Sequence, residues 1–304
     1  MVNIQKFKRP LCSKQEFVLF VATILWGITF LAIHIAVRYS GPLFFVGFRF
    51  FVASLICGAI FWRSLKSITV YEVFAGGAIG LGMFLGYALQ AAGLQTVMSS
   101  QVAFITALYV PMVPILQWIV FKKPPRFACW IGIILAFIGL VLVSGQKLEK
   151  FDASKGEILT LLGAVAIAGE VILIGIFASK VDSRRVTIVQ LFFCGFFSFL
   201  SMPLMGETIP QFSWIWVSIG IGLALMSAII QLAMNWAQKS ISPTRATLIY
   251  AGEPVWAGIV GRLAGERLSS SALLGGILIL IGIIVAELQP SQWRKKEKMV
   301  KKTD

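Results

Sequence analysis

Three ionisable residues stand in the middle of long apolar runs: Arg49, Glu170 and Glu253. An ionised side chain at the centre of a membrane helix costs about 2.5–3.5 kcal/mol on insertion scales, so one that persists there is a functional feature by default. Arg49 beside a carboxylate would form a buried pair, and one cation with two acids leaves one acid over. That acid is the natural proton carrier. Burial away from the arginine favours the neutral carboxylic acid, and arrival of a cationic substrate favours the carboxylate. Glu170 is the first choice for the role. Packing offers a second account of the same residues: Arg49 anchored to backbone carbonyls, and Glu253 protonated and bonded to the carbonyl that Pro254 frees.

Polar neighbours form a second tier. Gln231, Asn235 and Gln238 fall at helical spacing on one face, with Trp236 nearby, and could line a polar path. Tyr250 shares a face with Glu253, Tyr87 and Gln90 lie three apart, and Tyr109 sits two residues before Pro111. Amides in lipid also serve plain interhelical hydrogen bonding. His34, one turn from Arg38, reads as a surface or packing residue, with a proton relay as the alternative. The cysteines Cys12, Cys57, Cys129 and Cys194 are scattered singly and read as packing thiols. A single histidine leaves no His/Cys metal cluster, and no cofactor is expected.

The elements that must position these groups follow from composition. Of 304 residues, 58% are hydrophobic and 13% charged, against roughly 45–50% and about 25% in ordinary soluble domains. Ten runs are long enough to cross a bilayer, which takes about 17–25 residues. They are Glu16–Val37, Pro42–Trp62, Val70–Ala92, Ser99–Phe121, Phe127–Ser144, Gly156–Ala178, Val186–Met205, Trp214–Ala237, Pro243–Ala264 and Ser271–Leu288. The predicted fold class is an all-α integral membrane protein. Loops are short, so function must sit in or beside the membrane. The basic start resembles a leader's charged region, but the apolar run after it is too long and lacks a small-residue cleavage site, so it reads as a retained first helix.

The chain is also a duplication. The stretch Ser99–Pro125 aligns without a gap on Ser242–Leu268: Ser99 falls on Ser242, Ala103 on Ala246 and Pro111 on Pro254, and further on Gly132 falls on Gly275 and Gly139 on Gly282. Earlier segments match more weakly, with Arg49 falling within one residue of Gln190. The expected organisation is a basic N-terminal segment (1–15), a first repeat (16–146), a second repeat (147–289) and a basic tail (290–304). Five helices per copy is an odd number, so the second copy enters from the opposite side, and the ten helices form two inverted five-helix repeats with a site at the interface near the midplane. Pro111 and Pro254 each remove one backbone hydrogen bond and are the hinge candidates, at corresponding depth.

A net charge of +14 raises the question of nucleic acid, and its distribution answers it. Alternate loops collect most of the Lys and Arg, ending with the tail Arg294, Lys295, Lys296, Lys298, Lys301 and Lys302. Both termini are then cytoplasmic, and the basic tail reads as a topology determinant and a contact for anionic lipid, with no nucleic-acid partner. Trp62, Trp118, Trp130, Trp214 and Trp216 near segment ends read as interfacial anchors.

The motifs LWGITFLAI from Leu25, FRF around Arg49 and LQTVMSSQVAFITALYVPMVPIL from Leu94 recur in a familiar order, and the most specific block is SPTRATLIYAGEPVWAGIVGRLAGERLSSSALLGGILILIGIIV, from Ser242 to Val285. On these residues the chain resembles the drug/metabolite transporter superfamily, EamA type, over nearly its whole length. The resemblance implies two EamA repeats, cytoplasmic termini, a multi-pass protein of the bacterial inner membrane, and secondary transport of a small-molecule substrate, often export. It names no substrate, and dimerisation is left open. The chain departs from the family pattern at Ala168-Gly169-Glu170 and at Lys122-Lys123, where the first repeat often ends in a Gly-Glu pair. A phosphate-binding loop and the common hydrolase and metalloprotease motifs are lacking, so no enzymatic activity is expected. The expected function is a secondary carrier that exports a small metabolite, amino-acid-like compound or drug by alternating access at a midplane cavity, driven by proton exchange; the alternative is a non-transporting membrane sensor or channel-like protein.

Overall fold

The computed structural model describes residues 13–122, 127–143 and 153–287, and these hold thirteen α-helices, one short 3-10 turn and no strand. In chain order the helices are α1 (Lys14–Ala36), α2 (Pro42–Ile60), α3 (Trp62–Leu65), α4 (Val70–Gly93), α5 (Ser99–Thr106), α6 (Tyr109–Phe121), α7 (Phe127–Val143), α8 (Lys155–Phe177), α9 (Ser183–Ser201), α10 (Trp214–Ala237), α11 (Pro243–Tyr250), α12 (Glu253–Leu263) and α13 (Ser270–Glu287). Cys12, Lys123, Arg126, the side chain of Cys129 and the basic tail lie outside the described residues.

Helix starts are written locally. Ser13 with Glu16, Thr69 with Glu72 and Ser154 with Glu157 each form a reciprocal capping box, which satisfies backbone N–H groups that the first turn leaves without partners. Proline opens α2 and α11, where its missing N–H costs nothing.

Among the described residues, seven stretches are long and apolar enough to cross a membrane, which makes this a multi-pass membrane protein: Lys14–Ala36, Pro42–Ile60, Val70–Gly93, Ser99–Val120, Lys155–Phe177, Ser183–Met205 and Trp214–Ala237. Of the other three expected segments, the fifth and tenth are the continuous helices α7 and α13, Phe127–Val143 and Ser270–Glu287, with apolar stretches at Trp130–Val143 and Ser270–Val285. The ninth is split into α11 and α12, and the fourth is interrupted in the same way between α5 and α6. Each break precedes its proline. Without an N–H on Pro111 the Ala107 carbonyl accepts instead from Val110 at 3.1 Å, a tighter turn that ends α5. Pro254 lies in the first turn of α12, just after the break at Ala251 and Gly252.

Packing respects the duplication. Exchanging the copies turns the α1·α10 pair into α8·α4, α4·α9 into α10·α2, and α1·α12 into α8·α6, while α2·α9 and α7·α13 map onto themselves. Glycines permit the closest of these contacts. A Cβ on Gly139 would lie 2.6 Å from the Gly275 carbonyl oxygen, and one on Gly282 would lie 2.6 Å from that of Gly132, so α7 and α13 touch backbone to backbone at positions the repeat interchanges.

Three carboxylates tie the copies together at helix N-termini. Glu266, in the loop after α12, accepts from Ser99 N at 3.1 Å, Ser99 Oγ at 2.6 Å, Ser100 N at 3.1 Å and Ser100 Oγ at 2.5 Å. Burial pushes this carboxyl up, but the four hydrogen bonds outweigh it and hold Glu266 below the ordinary carboxylate value. Glu207, in the loop before α10, accepts from Leu43 N at 3.0 Å and Phe44 N at 2.6 Å. Glu72 of α4 accepts from Asp182 N at 3.0 Å and Arg185 Nε at 2.8 Å at the start of α9. The neighbouring Arg184 guanidinium holds the Asp182 carboxyl down at about 2. Glu16 pairs with Arg245 on the same face.

Smaller expectations resolve plainly. Trp62 and Trp214 are exposed as anchors would be, but Trp216 is buried edge-on against Phe44 and Phe48, with ring centroids 5.1 and 5.2 Å away. His34 packs by linking Leu94 O (2.7 Å) to Arg38. Cys57 and Cys194 are buried free thiols.

Candidate functional site

The central residues come from helices of both copies. From α10, Ser227, Gln231 and Asn235 recur every four residues and so form one polar stripe on an otherwise apolar helix. Gln231 is the hub. Its Nε2 donates to Glu170 Oε1 on α8 at 3.0 Å and lies 3.4 Å from the Tyr87 hydroxyl on α4, while its Oε1 accepts from Gln190 Nε2 on α9 at 2.8 Å. Asn235 Nδ2 donates to Gln190 Oε1, Thr187 Oγ1 and Gln231 O, each at 3.0 Å.

Arg49 on α2 meets this stripe one turn away. Its Nε donates to Ser227 Oγ at 2.5 Å, and its guanidinium stacks over Phe50 (4.9 Å) and Tyr87 (5.7 Å). No carboxylate lies within ion-pair distance of Arg49 among the described residues. The expected Arg49–carboxylate pair is therefore absent. Aromatic faces and a hydroxyl replace it, leaving both core acids without a cation.

A third cluster gathers at the helix breaks. Tyr250, at the end of α11, stacks edge-on against Trp26 at 5.3 Å and accepts from Gln238 Nε2 at 3.5 Å. Glu253 opens α12. Tyr109 opens α6, and its buried hydroxyl completes no hydrogen bond. Gln90 stands apart, donating to Thr106 Oγ1 at 3.2 Å within the first copy. Pro111 and Pro254 flank the two breaks. Of the named candidates, then, Gln90 alone turns away to a bond of its own, and Ser227 and Thr187 join although the sequence reading passed over them. Ser227 was legible as the residue one turn before Gln231; Thr187 carried no signal apart from its helix.

All of these side chains are buried, Glu170, Gln190 and Tyr250 fully and Gln90 and Glu253 at 5% exposure, so the core is closed to both faces. Four buried side-chain atoms among the described residues lack any hydrogen-bond partner: Tyr109 Oη, Glu170 Oε2, Asn235 Oδ1 and Gln238 Oε1. Every one belongs to this core. Orphaned buried polar atoms are rare in folded proteins and each calls for a reason. No group of three metal-ligating side chains exists among the described residues.

A closed, polar, centrally charged core inside a helical membrane bundle, at paired helix breaks, is the plan of a membrane transporter. The chain belongs to the EamA-like transporter family, whose description matches it twice, over residues 13–145 and 154–288. The family is one of transporters and not of enzymes. Among curated relatives, an uncharacterized transporter of Archaeoglobus fulgidus is 27% identical over 276 residues, covering 88% of this chain and 84% of that one. The uncharacterized transporter YwfM of Bacillus subtilis is 26% identical over 288 residues, covering 91% and 95%. A solved crystal structure with 18% identity superposes with a TM-score of 0.67, covering 92% of this chain and 99% of that one, and so shares the fold.

Proposed function

We propose that this protein is a secondary carrier that exports a small metabolite, amino-acid-like compound or drug by alternating access, coupled to proton exchange at Glu170. In this reading ten helices form two inverted repeats in a bacterial inner membrane, with both termini in the cytoplasm and the basic tail on anionic lipid. The observation that carries it is the concentration of all four orphaned polar atoms in the core. A static hydrogen-bonded core would satisfy them, whereas a site that exchanges partners during a cycle leaves valences for substrate and proton.

Glu170 fits the proton role better than Glu253 because Gln231 holds one of its oxygens and leaves the other free. In its protonated form such an acid avoids the cost of an ionised carboxylate in the membrane interior. The paired breaks before Pro111 and Pro254 supply the joints at which half-helices can tilt without losing further hydrogen bonds.

The test is flux in proteoliposomes across a metabolite and drug panel under an imposed pH gradient. Saturable, gradient-driven flux of one compound class is expected, and Glu170→Gln should uncouple or abolish it while the protein stays folded. Full proton-coupled activity in Glu170→Gln would remove Glu170 from the mechanism. A folded wild-type protein that moves no compound would favour the sensor or channel reading.

A further inference from the structure

A groove of about 640 Å³ runs along the outside of the bundle between α5, α12 and α13. Its walls are Phe104, Val255, Ile259, Leu273 and Ile277, it begins beside Pro254, and it ends at Arg262 and Leu263. The volume lies within the range of about 300–1,000 Å³ of sites that hold a discrete ligand. Val255, Ile259, Leu273 and Ile277 are each 40–54% exposed and Leu263 84%, so the groove opens sideways toward the bilayer.

Gly258 keeps it open. A glycine inside a helix costs roughly 1 kcal/mol relative to alanine and is ordinarily repaid by a close contact. No such contact exists here, because a Cβ at Gly258 would meet only Phe104 Cζ at 3.9 Å. On the other wall, Gly276 is filled by the Phe104 ring, 2.6 Å from where its Cβ would be.

Length and charge identify the occupant. From Pro254 to Arg262 the helix rises about 12 Å, close to the roughly 15 Å of one hydrocarbon leaflet. Arg262 stands at the membrane-face end with no acidic partner within ion-pair distance among the described residues. Glu266 beside it is no competitor, since Ser99 and Ser100 already fill its four acceptor positions. We infer that this groove is a binding site for one membrane glycerophospholipid, its phosphate on Arg262 and one acyl chain laid along Gly258 to the break at Pro254. The site lies in the leaflet opposite the one that faces Lys14, and it is separate from the basic tail. Its inner end touches the half-helix that carries Glu253, so an acyl chain there braces α12 at the joint.

The experiment measures phospholipid retained by purified full-length protein, by mass spectrometry in detergent, and thermal unfolding on adding back phosphatidylglycerol or diacylglycerol. Wild type should retain about one phospholipid and gain stability from phosphatidylglycerol but not from diacylglycerol, which lacks the phosphate. Gly258→Leu, which fills the groove at a position with room, and Arg262→Gln, which changes only an exposed head contact, should each cut retention at least fivefold. Lys239→Gln, in a separate cleft lined by Asp182 and Trp236, should leave retention unchanged. Equal retention in wild type and both groove variants would overturn the inference. So would an equal response to diacylglycerol, or a wild-type dimer that Gly258→Leu dissociates, since a second copy would then cover the groove. None of these readouts depends on identifying the transported compound.

Discussion

Replacing Arg49 by glutamine separates a transport role from a packing role. In the folded protein the guanidinium makes one charge-assisted hydrogen bond, to Ser227, and lies over two aromatic rings. A hydrogen bond to a charged group contributes about 1.5–3 kcal/mol, and a desolvated cation–π contact about 2 kcal/mol. Against these stands the cost of a charged side chain at membrane depth, about 2.5–3.5 kcal/mol. With Phe50 at 4.9 Å as the one close ring and Tyr87 at 5.7 Å near the limit of the interaction, the favourable contacts exceed that cost by only about 1 kcal/mol. Glutamine keeps a donor for Ser227 and removes the charge, so Arg49→Gln should change stability by no more than about 1 kcal/mol, a shift of a few degrees in thermal unfolding of the purified protein. Transport should respond far more strongly. Loss of one partner in a buried charged contact costs about 2 kcal/mol or more, which is a fall of at least about thirtyfold in flux at low substrate concentration. Severe destabilisation together with normal flux per folded molecule would make Arg49 a packing anchor and refute the reasoning. No change in either would remove it from the site altogether.

Two further perturbations test the framework. Because the Glu266 carboxyl is held below its ordinary value, the stability it contributes is present above its unfolded value of about 4.3 and is lost as pH falls through the lower folded value. Glu266→Gln should flatten that acid limb of a stability-against-pH profile measured by thermal unfolding, and superimposable profiles would show that the bonds to Ser99 and Ser100 contribute nothing. Gln231→Leu leaves Gln190 Nε2 without an acceptor and Glu170 Oε1 without a donor, at about 1–3 kcal/mol for each orphaned group; a loss under about 0.5 kcal/mol would refute the hub role given to Gln231.

Much of this molecule is legible in the chain because the membrane imposes few solutions. Apolar length and the repeat located the helices, and helical spacing gathered Gln231 with Asn235. Charge at depth singled out Arg49, Glu170 and Glu253, but it could not say which charges meet. An arginine in an apolar helix has several ways to be satisfied, and the sequence does not record that Phe50 and Tyr87 present ring faces to Arg49 where a carboxylate was expected. Proline marked the two helix breaks, yet the interruption falls on the residues before it, since the ring acts on the turn that precedes. The interlocking carboxylates were the least visible. Glu207 and Glu266 sit in polar loops where an acid draws no attention, and their partners are backbone N–H groups more than 150 positions away.

Those carboxylates also decide what can move with what. Glu266 belongs to the second copy and grips the start of α5 in the first, Glu207 does the same to α2, and Glu72 of the first copy holds the start of α9 in the second. A rearrangement that slid one ancestral half past the other would have to break all three grips together. One that carries α5 with the loop after α12, α2 with the loop before α10, and α4 with α9 breaks none. Any parts that move as units while keeping these grips are then assemblies of mixed descent, and the seam between them would not follow the seam left by the gene duplication.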